Sequence, residues 1–218
     1  MRFRVRSAMD AWSVKETILD AFYTRYGTPV KDGWTIIDIG AGIGDFSIYA
    51  AFARPKVSVL AFEPFPDSFD LLAKNLSDNQ VDNVLIFQTA VWEGDGELLL
   101  DLSSGEPLQI GSLEHGEVVK SEDTLKVQSI SLNSLLIQNQ LEQVDLLKLD
   151  CEGAEYKILM NAPHGALIKI RRIIMEYHDL DEKHNHRVLM TFLKEQGFQV
   201  RQYGNIVHAE IGYLYAER

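Results

Sequence analysis

The chain has 218 residues, 46% of them hydrophobic and 24% charged, which is enough to bury the core of one domain. Its 32 acidic residues outnumber the 21 lysines and arginines, and the net charge of −11 disfavours nucleic acid, whose phosphates attract basic surfaces. Cys151 is the single cysteine, which excludes an internal disulfide and fits a reducing compartment. With no apolar run of about 18 residues and no signal-peptide core, the sequence predicts a cytoplasmic protein that contacts neither membrane nor nucleic acid. It does not indicate an oligomeric state.

Residues 1–33 are predicted to form an N-terminal helical extension. Within them, residues 13–26 have apolar side chains at helical spacing, and Ser13 is a candidate N-cap. Gly27 and Pro29 are expected to end this helix. The sequence alone assigns no role to the extension.

From residue 34 to residue 218, predicted strands and helices alternate. Strands are expected at 35–39, 57–63, 84–91, 145–150, 171–177, 198–203 and 211–216, and helices at 44–53, 66–79, 131–139, 153–161 and 183–196. This alternation favours an α/β fold with a mostly parallel, seven-stranded Rossmann-like sheet and helices on both faces. The last two strands are separated by too few residues for a crossover helix, so they are predicted to form an antiparallel C-terminal hairpin.

A glycine turn joins the first predicted strand to the helix that follows. Its sequence is Asp38-Ile-Gly-Ala-Gly-Ile-Gly, and Gly40, Gly42 and Gly44 allow a tight turn and the close approach of a ligand. A dinucleotide fingerprint would have its third glycine one place later, where this chain has Asp45. The form D-x-G-x-G-x-G is similar to the first motif of S-adenosylmethionine-dependent methyltransferases. S-adenosylmethionine is therefore the predicted cofactor.

Glu63 supports this interpretation, because it ends the second predicted strand about 20 positions beyond the glycine turn. A carboxylate at that point is placed to accept hydrogen bonds from two ribose hydroxyls. Asp38, Phe65, Thr89 and Ala90 complete the predicted cofactor contacts. Many class I methyltransferases have an aspartate after the third strand for the adenine amino group, but this chain has Gln88 before Thr89, which leaves the adenine contact open.

An insertion at residues 94–125 interrupts the alternation and contains several glycine turns. Residues 96–102 and 126–130 are predicted to pair as strands that flank a polar loop. The insertion leaves the carboxyl side of the sheet, where ligands bind, so one interpretation is a lid or substrate-selecting segment. The other interpretation is a variable surface hairpin.

A second group of polar residues follows the fourth and fifth predicted strands. Lys148 and Asp150 face the same way on a strand that should be buried on both sides, so both need partners. Lys148 either forms an internal ion pair or takes part in the site, and Asp150 is placed to meet the methionine ammonium or an acceptor hydroxyl. Glu176 and His178 share one face at the tip of the next strand. His178 is the candidate general base, since histidine titrates near neutrality; the alternative is a surface histidine with no role.

These blocks together resemble the FkbM-type methyltransferases. The family signature K-x-D-x-E-G-x-E corresponds to residues 148–155, and the resemblance extends over about residues 34–200. It implies a class I methyltransferase domain at residues 34–218 that uses S-adenosylmethionine to methylate a hydroxyl of a small molecule, such as a sugar, a polysaccharide precursor or a polyketide-like metabolite. An N- or C-methyltransferase on the same scaffold and a non-catalytic cofactor-binding protein remain alternatives.

The predicted catalytic residues also suggest a possible metal site. Asp150, Glu176 and His178 are a donor set that suits Mg²⁺, which some O-methyltransferases use to orient an acceptor hydroxyl. The metal-free interpretation is favoured, because Lys148 is expected to neutralise Asp150.

Three residues between these blocks have less direct roles. Cys151 lies between carboxylates, so its thiol is expected to have a raised pKa and to serve in packing. Glu152 and Glu155 flank a glycine before a helix, where negative charge is favourable. Of the two, Glu155 is expected to be structural.

Overall fold

The computed structural model describes residues 1–101, 108–112, 124–205, 208 and 210–218. The strands of this part of the chain are β1 Thr35–Ile39, β2 Ser58–Phe62, β3 Val84–Phe87, β4 Ala90–Trp92, β5 Gly96–Asp101, β6 Leu108–Ser112, β7 Thr124–Ser131, β8 Leu146–Leu149, β9 Arg172–His178, β10 Gln199–Gly204 and β11 Ile211–Glu217. The α-helices are α1 Ala8–Val14, α2 Asp45–Ala51, α3 Pro66–Asp78, α4 Leu132–Gln138, α5 Glu155–Met160, α6 His164–Leu167 and α7 His186–Glu195. Two π-helical turns, Lys15–Leu19 and Tyr23–Gly27, follow α1.

Seven strands form the central sheet, in the order β10-β11-β9-β8-β1-β2-β3. The pairs between β3, β2, β1, β8 and β9 are parallel, and β11 runs antiparallel to both β9 and β10. The predicted fold class is therefore confirmed, including the antiparallel C-terminal hairpin. No helix among the described residues is long and apolar enough to cross a membrane.

Side chains of successive sheet residues go to opposite faces, and helices cover both. Ile36 packs with residues of α2 and α3, whereas Ile37 packs with residues of α4, α5, α6 and α7. Both isoleucines are completely buried, as expected for a strand with two covered faces.

The strand predicted at residues 84–91 is two strands in the structure, and that prediction is wrong. The amide of Glu63 donates to the carbonyl of Phe87, but the next amide on this side of β2, that of Phe65, donates to the side chain of Glu63 and does not continue the ladder. Beyond Phe87, β3 therefore has no partner on β2. The chain turns at Gln88 and pairs through β4 with β7 in a second sheet, of order β4-β7-β5-β6.

In this second sheet, Gly96 of β5 is aligned antiparallel with Ser129 of β7, as the sequence predicts. Leu98 and Leu100 of β5 are buried in the same core as the central sheet. The polar loop of the insertion falls largely in residues 102–107 and 113–123, outside the described residues.

The N-terminal region contains helical turns but not the single helix predicted at residues 13–26. Helix α1 begins earlier, at the cap formed by Ser7, whose side chain accepts a hydrogen bond from the amide of Asp10. The helical run then breaks at Ala21, which has a φ of 54°. The amides of Thr24 and Arg25 both donate to the Ala21 carbonyl, and the second π-helical turn begins at Tyr23.

The register of the central sheet brings the predicted site residues to one edge. Ile39 of β1 is aligned with Leu149 of β8, and Leu149 is aligned with Met175 of β9. The residues that come next along the chain are Gly40, Asp150 and Glu176. They are therefore side by side at the carboxyl edge of the sheet. This is the edge at which parallel α/β sheets bind ligands.

Candidate functional site

A cavity of about 500 Å³ lies at the carboxyl edge of the central sheet. Its wall includes eight of the residues predicted from the sequence: Gly40, Gly42, Glu63, Ala90, Lys148, Asp150, Glu176 and His178. Four other predicted cofactor contacts, Asp38, Gly44, Phe65 and Thr89, do not line it. Thr89 lines a separate, smaller cavity, because the break between β3 and β4 turns it away from Ala90.

The glycine turn has a different requirement at each glycine. A Cβ on Gly40, whose φ is 71°, would lie 1.8 Å from the carbonyl oxygen of Asp150, so the turn can pack against the end of β8 only with glycine there. At Gly42, whose φ is 53°, a Cβ would meet no atom of the described residues within 4 Å. Gly42 therefore leaves open space in the cavity wall beside its own backbone.

The carboxylate of Glu63 is held by two backbone amides. Gly42 donates to Oε2 at 2.8 Å, and Phe65 donates to Oε1 at 2.9 Å. Glu63 is only 7% exposed, and this burial raises its pKa to about 7 although both amides favour the charged form. Phe65 thus contributes its amide to the site, while its ring lies 5.9 Å from the guanidinium of Arg6.

Lys148 and Asp38 form a buried ion pair beneath the glycine turn. The ammonium lies 3.1 Å from Oδ1 of Asp38 and donates to the carbonyl of Gly40 at 2.7 Å, while Ser47 donates to Oδ2 of Asp38. Burial acts to lower the pKa of Lys148, but the nearby carboxylates, Asp38 above all, raise it overall. Asp150 is a more distant partner, at 3.9 Å. Lys148 therefore supports the turn from below, and it neutralises Asp38 more directly than Asp150.

Carboxylates surround His178 in the cavity. Its Nδ1 lies 3.5 Å from Oε1 of Glu155, and its Nε2 lies 3.4 Å from Oε2 of Glu152. Burial acts to lower the pKa of His178, but Glu155, Glu152 and Asp150 raise it to about 10. Burial raises the pKa of Glu176 to about 9, and the charge of Asp150 adds to this effect. Without a ligand, His178 therefore carries a proton at neutral pH.

The donor atoms that lie close together differ from the predicted metal set. Single donor atoms of Asp150, Glu152 and His178 lie within 4.8 Å of one another, whereas Glu176 does not belong to this group. Glu152 has a φ of 52°, a left-handed conformation that turns its carboxylate towards His178. Alternation along a strand could not predict this, because the turn lies beyond the strand.

Glu155 and Cys151 behave as the sequence predicts. Glu155 is completely buried, and its Oε1 accepts hydrogen bonds from the amides of Cys151 and Gly153 at 3.1 and 3.4 Å. It therefore holds the turn before α5. Burial raises the pKa of the Cys151 thiol well above its usual value, and the charge of Glu155 raises it further.

The N-terminal region supplies part of the cavity wall, which the sequence analysis did not predict. Glu16, Thr17 and Tyr23 all line the cavity. The hydroxyl of Tyr23 donates to Oδ2 of Asp150 at 2.6 Å, and the hydroxyl of Thr17 donates to the buried carboxylate of Asp45. One signal was present in the sequence: Thr17 falls on the apolar face of the predicted helix, where a hydroxyl needs a partner.

Comparisons with known proteins identify related sequences and a similar fold. A family model described as "Methyltransferase FkbM domain" matches residues 38–200. The chain is 26% identical to the 31-O-demethyl-FK506 methyltransferase FkbM of Streptomyces tacrolimicus, over 85% of this chain and 80% of that protein. It is also 26% identical to the hexuronic acid methyltransferase AglP of Haloferax volcanii, over 81% of this chain and 70% of that protein. Among solved structures, the methyltransferase FkbM of Methylobacillus flagellatus has the same fold, with a TM-score of 0.59 at 14% identity over 90% of this chain and 47% of that chain.

Proposed function

The chain belongs to the FkbM methyltransferase family, and from this premise we propose that it transfers the methyl group of S-adenosylmethionine to a hydroxyl oxygen of a small molecule. One observation carries the proposal. A single cavity is lined both by the glycine turn with Glu63 and by Asp150, Glu176 and His178. A cofactor held at the former group would meet an acceptor held at the latter.

The residues around Gly42 and Glu63 fit the cofactor. The open space beside Gly42 allows an adenosyl group to approach the backbone, and the carboxylate of Glu63 is already oriented by two amides to accept hydrogen bonds from a ribose diol. When bound, the cofactor supplies an electrophilic methyl group on a sulfonium. The protein then has only to position the acceptor in line and take up its proton.

His178 is the residue that we propose takes up this proton. Its ring lines the cavity between Glu152 and Glu155. The protonated state of the ligand-free site is not the state that can act as a base. A positive charge bound beside Asp150 opposes the carboxylates that raise the His178 pKa, so it lowers this pKa and increases the fraction of neutral imidazole that can accept the proton of the acceptor hydroxyl.

The acceptor side of the cavity favours a polyhydroxylated molecule. Glu16 and Glu152 bring carboxylates that accept hydrogen bonds from hydroxyl groups, and Glu176, whose pKa burial raises to about 9, can donate one as a neutral carboxyl. The hexuronic acid methyltransferase among the relatives acts on a sugar acid, which supports a sugar-like acceptor. Leu100 of β5 also lines the cavity, which favours the lid or substrate-selecting interpretation of residues 94–125.

We propose that the reaction needs no metal, although Asp150, Glu152 and His178 could hold Mg²⁺ through two carboxylates and one nitrogen. The protonated imidazole of His178 in the ligand-free site opposes a cation there. Activity should therefore remain complete after exhaustive chelation. Loss of activity that only added Mg²⁺ restores would contradict the metal-free reaction.

The proposal is tested by calorimetry and by methyl transfer. S-adenosylhomocysteine should bind the protein, and NAD should not. A panel of sugars, sugar acids and hydroxylated polyketides, incubated with labelled S-adenosylmethionine, should reveal acceptors whose products carry an O-methyl group. Binding of NAD in place of S-adenosylhomocysteine, or transfer only to amines or carbon atoms, would contradict the proposed activity.

A further inference from the structure

Two hydroxyl groups of the N-terminal segment, defined as residues 7–27, reach carboxylates on opposite sides of the glycine turn. Tyr23 donates to Asp150, which follows β8, and Thr17 donates to Asp45, which begins α2. The segment is therefore bonded to both elements that frame the cavity. It also lies outside residues 38–200, where the family model matches.

Packing fixes the position of Tyr23. The residue is 7% exposed, and its ring centroid lies 5.3 Å from that of Phe46 and 6.0 Å from that of Tyr213. The ammonium of Lys148 lies 5.4 Å from the centre of the same ring. The left-handed conformation of Ala21, just before this turn, is unfavourable for a residue that has a side chain. Such a conformation persists where the surrounding structure holds it, as these contacts do.

The hydroxyl of Tyr23 acts on one oxygen of Asp150. Its donated hydrogen bond and the ammonium of Lys148 both lie on the side of Oδ2, at 2.6 and 3.9 Å. Among the described residues, Oδ1 receives no hydrogen bond, and the side chain is 25% exposed to the cavity and solvent. The carboxylate is thus held at Oδ2, and Oδ1 is available to a ligand.

We propose that Tyr23 is a positioning residue, which directs the Asp150 carboxylate towards the sulfonium of the cofactor, and that the N-terminal segment is thereby a working part of the site. This proposal rests on the proposed function. Its consequence is measurable without a known acceptor. S-adenosylmethionine differs from S-adenosylhomocysteine by one methyl group and one positive charge, so a carboxylate held beside that charge favours S-adenosylmethionine.

The test compares the affinities of these two compounds by calorimetry in five forms of the full chain. They are the unchanged protein, Tyr23→Phe, Tyr26→Phe, Asp150→Asn and the double variant Tyr23→Phe/Asp150→Asn. Tyr26→Phe is the matched control, because it removes the other phenolic hydroxyl of the same turn while its ring still stacks on Tyr203 and Tyr213, away from the cavity.

Tyr23→Phe should lower the preference for S-adenosylmethionine over S-adenosylhomocysteine by roughly 5-fold, since it removes a hydrogen bond to a charged group. Tyr26→Phe should leave this preference unchanged. In the Asp150→Asn background, Tyr23→Phe should have no further effect, because residues that act through one another are not additive.

A structural role would give a different result. The positioning role would be refuted if Tyr23→Phe lowered the affinity for both compounds by the same factor. It would also be refuted if the effect of Tyr23→Phe on the preference added in full to that of Asp150→Asn. If the unchanged protein bound neither compound, the proposed function would fail first, and the role of Tyr23 would fall with it.

Discussion

The carboxylate of Glu63 is buried at the end of β2 and must be ionised to accept hydrogen bonds from a ribose. Its pKa in the ligand-free protein is raised to about 7, chiefly by burial. Below pH 7, binding has to displace a proton from Glu63, so the affinity falls as the pH decreases. Above pH 7, the carboxylate is already ionised. We expect S-adenosylhomocysteine to bind roughly 10-fold more weakly at pH 6 than at pH 8, as measured by calorimetry.

The control for this prediction is Glu63→Gln, which keeps the shape of the side chain but cannot ionise. At pH 8 this variant should bind more weakly than the unchanged protein by roughly 1–3 kcal/mol, and its own affinity should not change between pH 6 and pH 8. An unchanged slope in Glu63→Gln would mean that another group in the cavity controls the pH dependence.

His178 leads to a second prediction at this scale. His178→Ala should lower turnover by roughly 10²-fold or more and leave the affinity for S-adenosylhomocysteine nearly unchanged, because a general base contributes to the reaction and not to cofactor binding. Turnover of the unchanged enzyme should rise with pH above 7. The pKa of His178 is raised, so the fraction of neutral imidazole that can act as a base increases as the pH increases towards that pKa. His178→Ala should lack this rise.

A suitable control is His164→Ala, which removes an exposed imidazole that hydrogen-bonds to Gln196 outside the cavity. It should have the turnover of the unchanged enzyme. Equal losses of cofactor affinity and turnover in His178→Ala would indicate that the ring holds the cavity together and does not act as a base.

Substitutions in the glycine turn between β1 and α2 can separate an effect on folding from an effect on ligand binding. Gly40→Ala would place a Cβ against the backbone of Asp150, and we expect a loss of roughly 3 kcal/mol or more in the free energy of unfolding. Gly42→Ala would meet no atom and should lose only about 1–2 kcal/mol, the cost of a left-handed alanine. Gly42→Ala should nevertheless lower the affinity for S-adenosylhomocysteine by roughly 10-fold, because the new methyl group fills space that the ligand needs.

Gly33→Ala is the control for backbone cost alone, since Gly33 has a φ of 82°, open surroundings and no place in the cavity. Its loss of unfolding free energy, measured with denaturant, should match that of Gly42→Ala, and its affinity for the cofactor product should not change. If Gly42→Ala bound as tightly as Gly33→Ala, the cofactor would not pass over Gly42.

The elements differ in how far the sequence could predict them. The glycine turn and the aligned tips of β1, β8 and β9 follow from local pattern, because alternation fixes which residues share a face and parallel strands end at one edge. The bond from Tyr23 to Asp150 spans 127 positions and depends on the break at Ala21, which no propensity indicates. The sequence predicted Glu176 beside Asp150 and His178, but the structure places Glu152 there. The cause is again local backbone conformation, since the left-handed φ of Glu152 turns its carboxylate towards His178.

Charge acts on the molecule as a whole as well as on its site. The chain has a net charge of −11, and carboxylates also gather at the acceptor side of the cavity, where Glu16, Asp150 and Glu152 lie. The global field and the local field therefore have the same sign. A neutral polyol is not repelled from such a cavity, whereas a polymer that carries phosphates is.

This argument predicts that the protein does not bind RNA at physiological salt. Non-specific binding requires basic side chains that release the counterions of the phosphates, and an acidic surface offers few of them, so any dissociation constant should be weaker than about 10⁻⁴ M. Fluorescence anisotropy of a labelled single-stranded RNA, titrated with protein, should show no saturation, and lower salt should not promote binding because repulsion is then less screened. Saturable binding at micromolar protein that weakens as salt increases would reveal a basic surface that the sequence does not indicate. The acceptor would then have to be sought among nucleic acids instead of sugars.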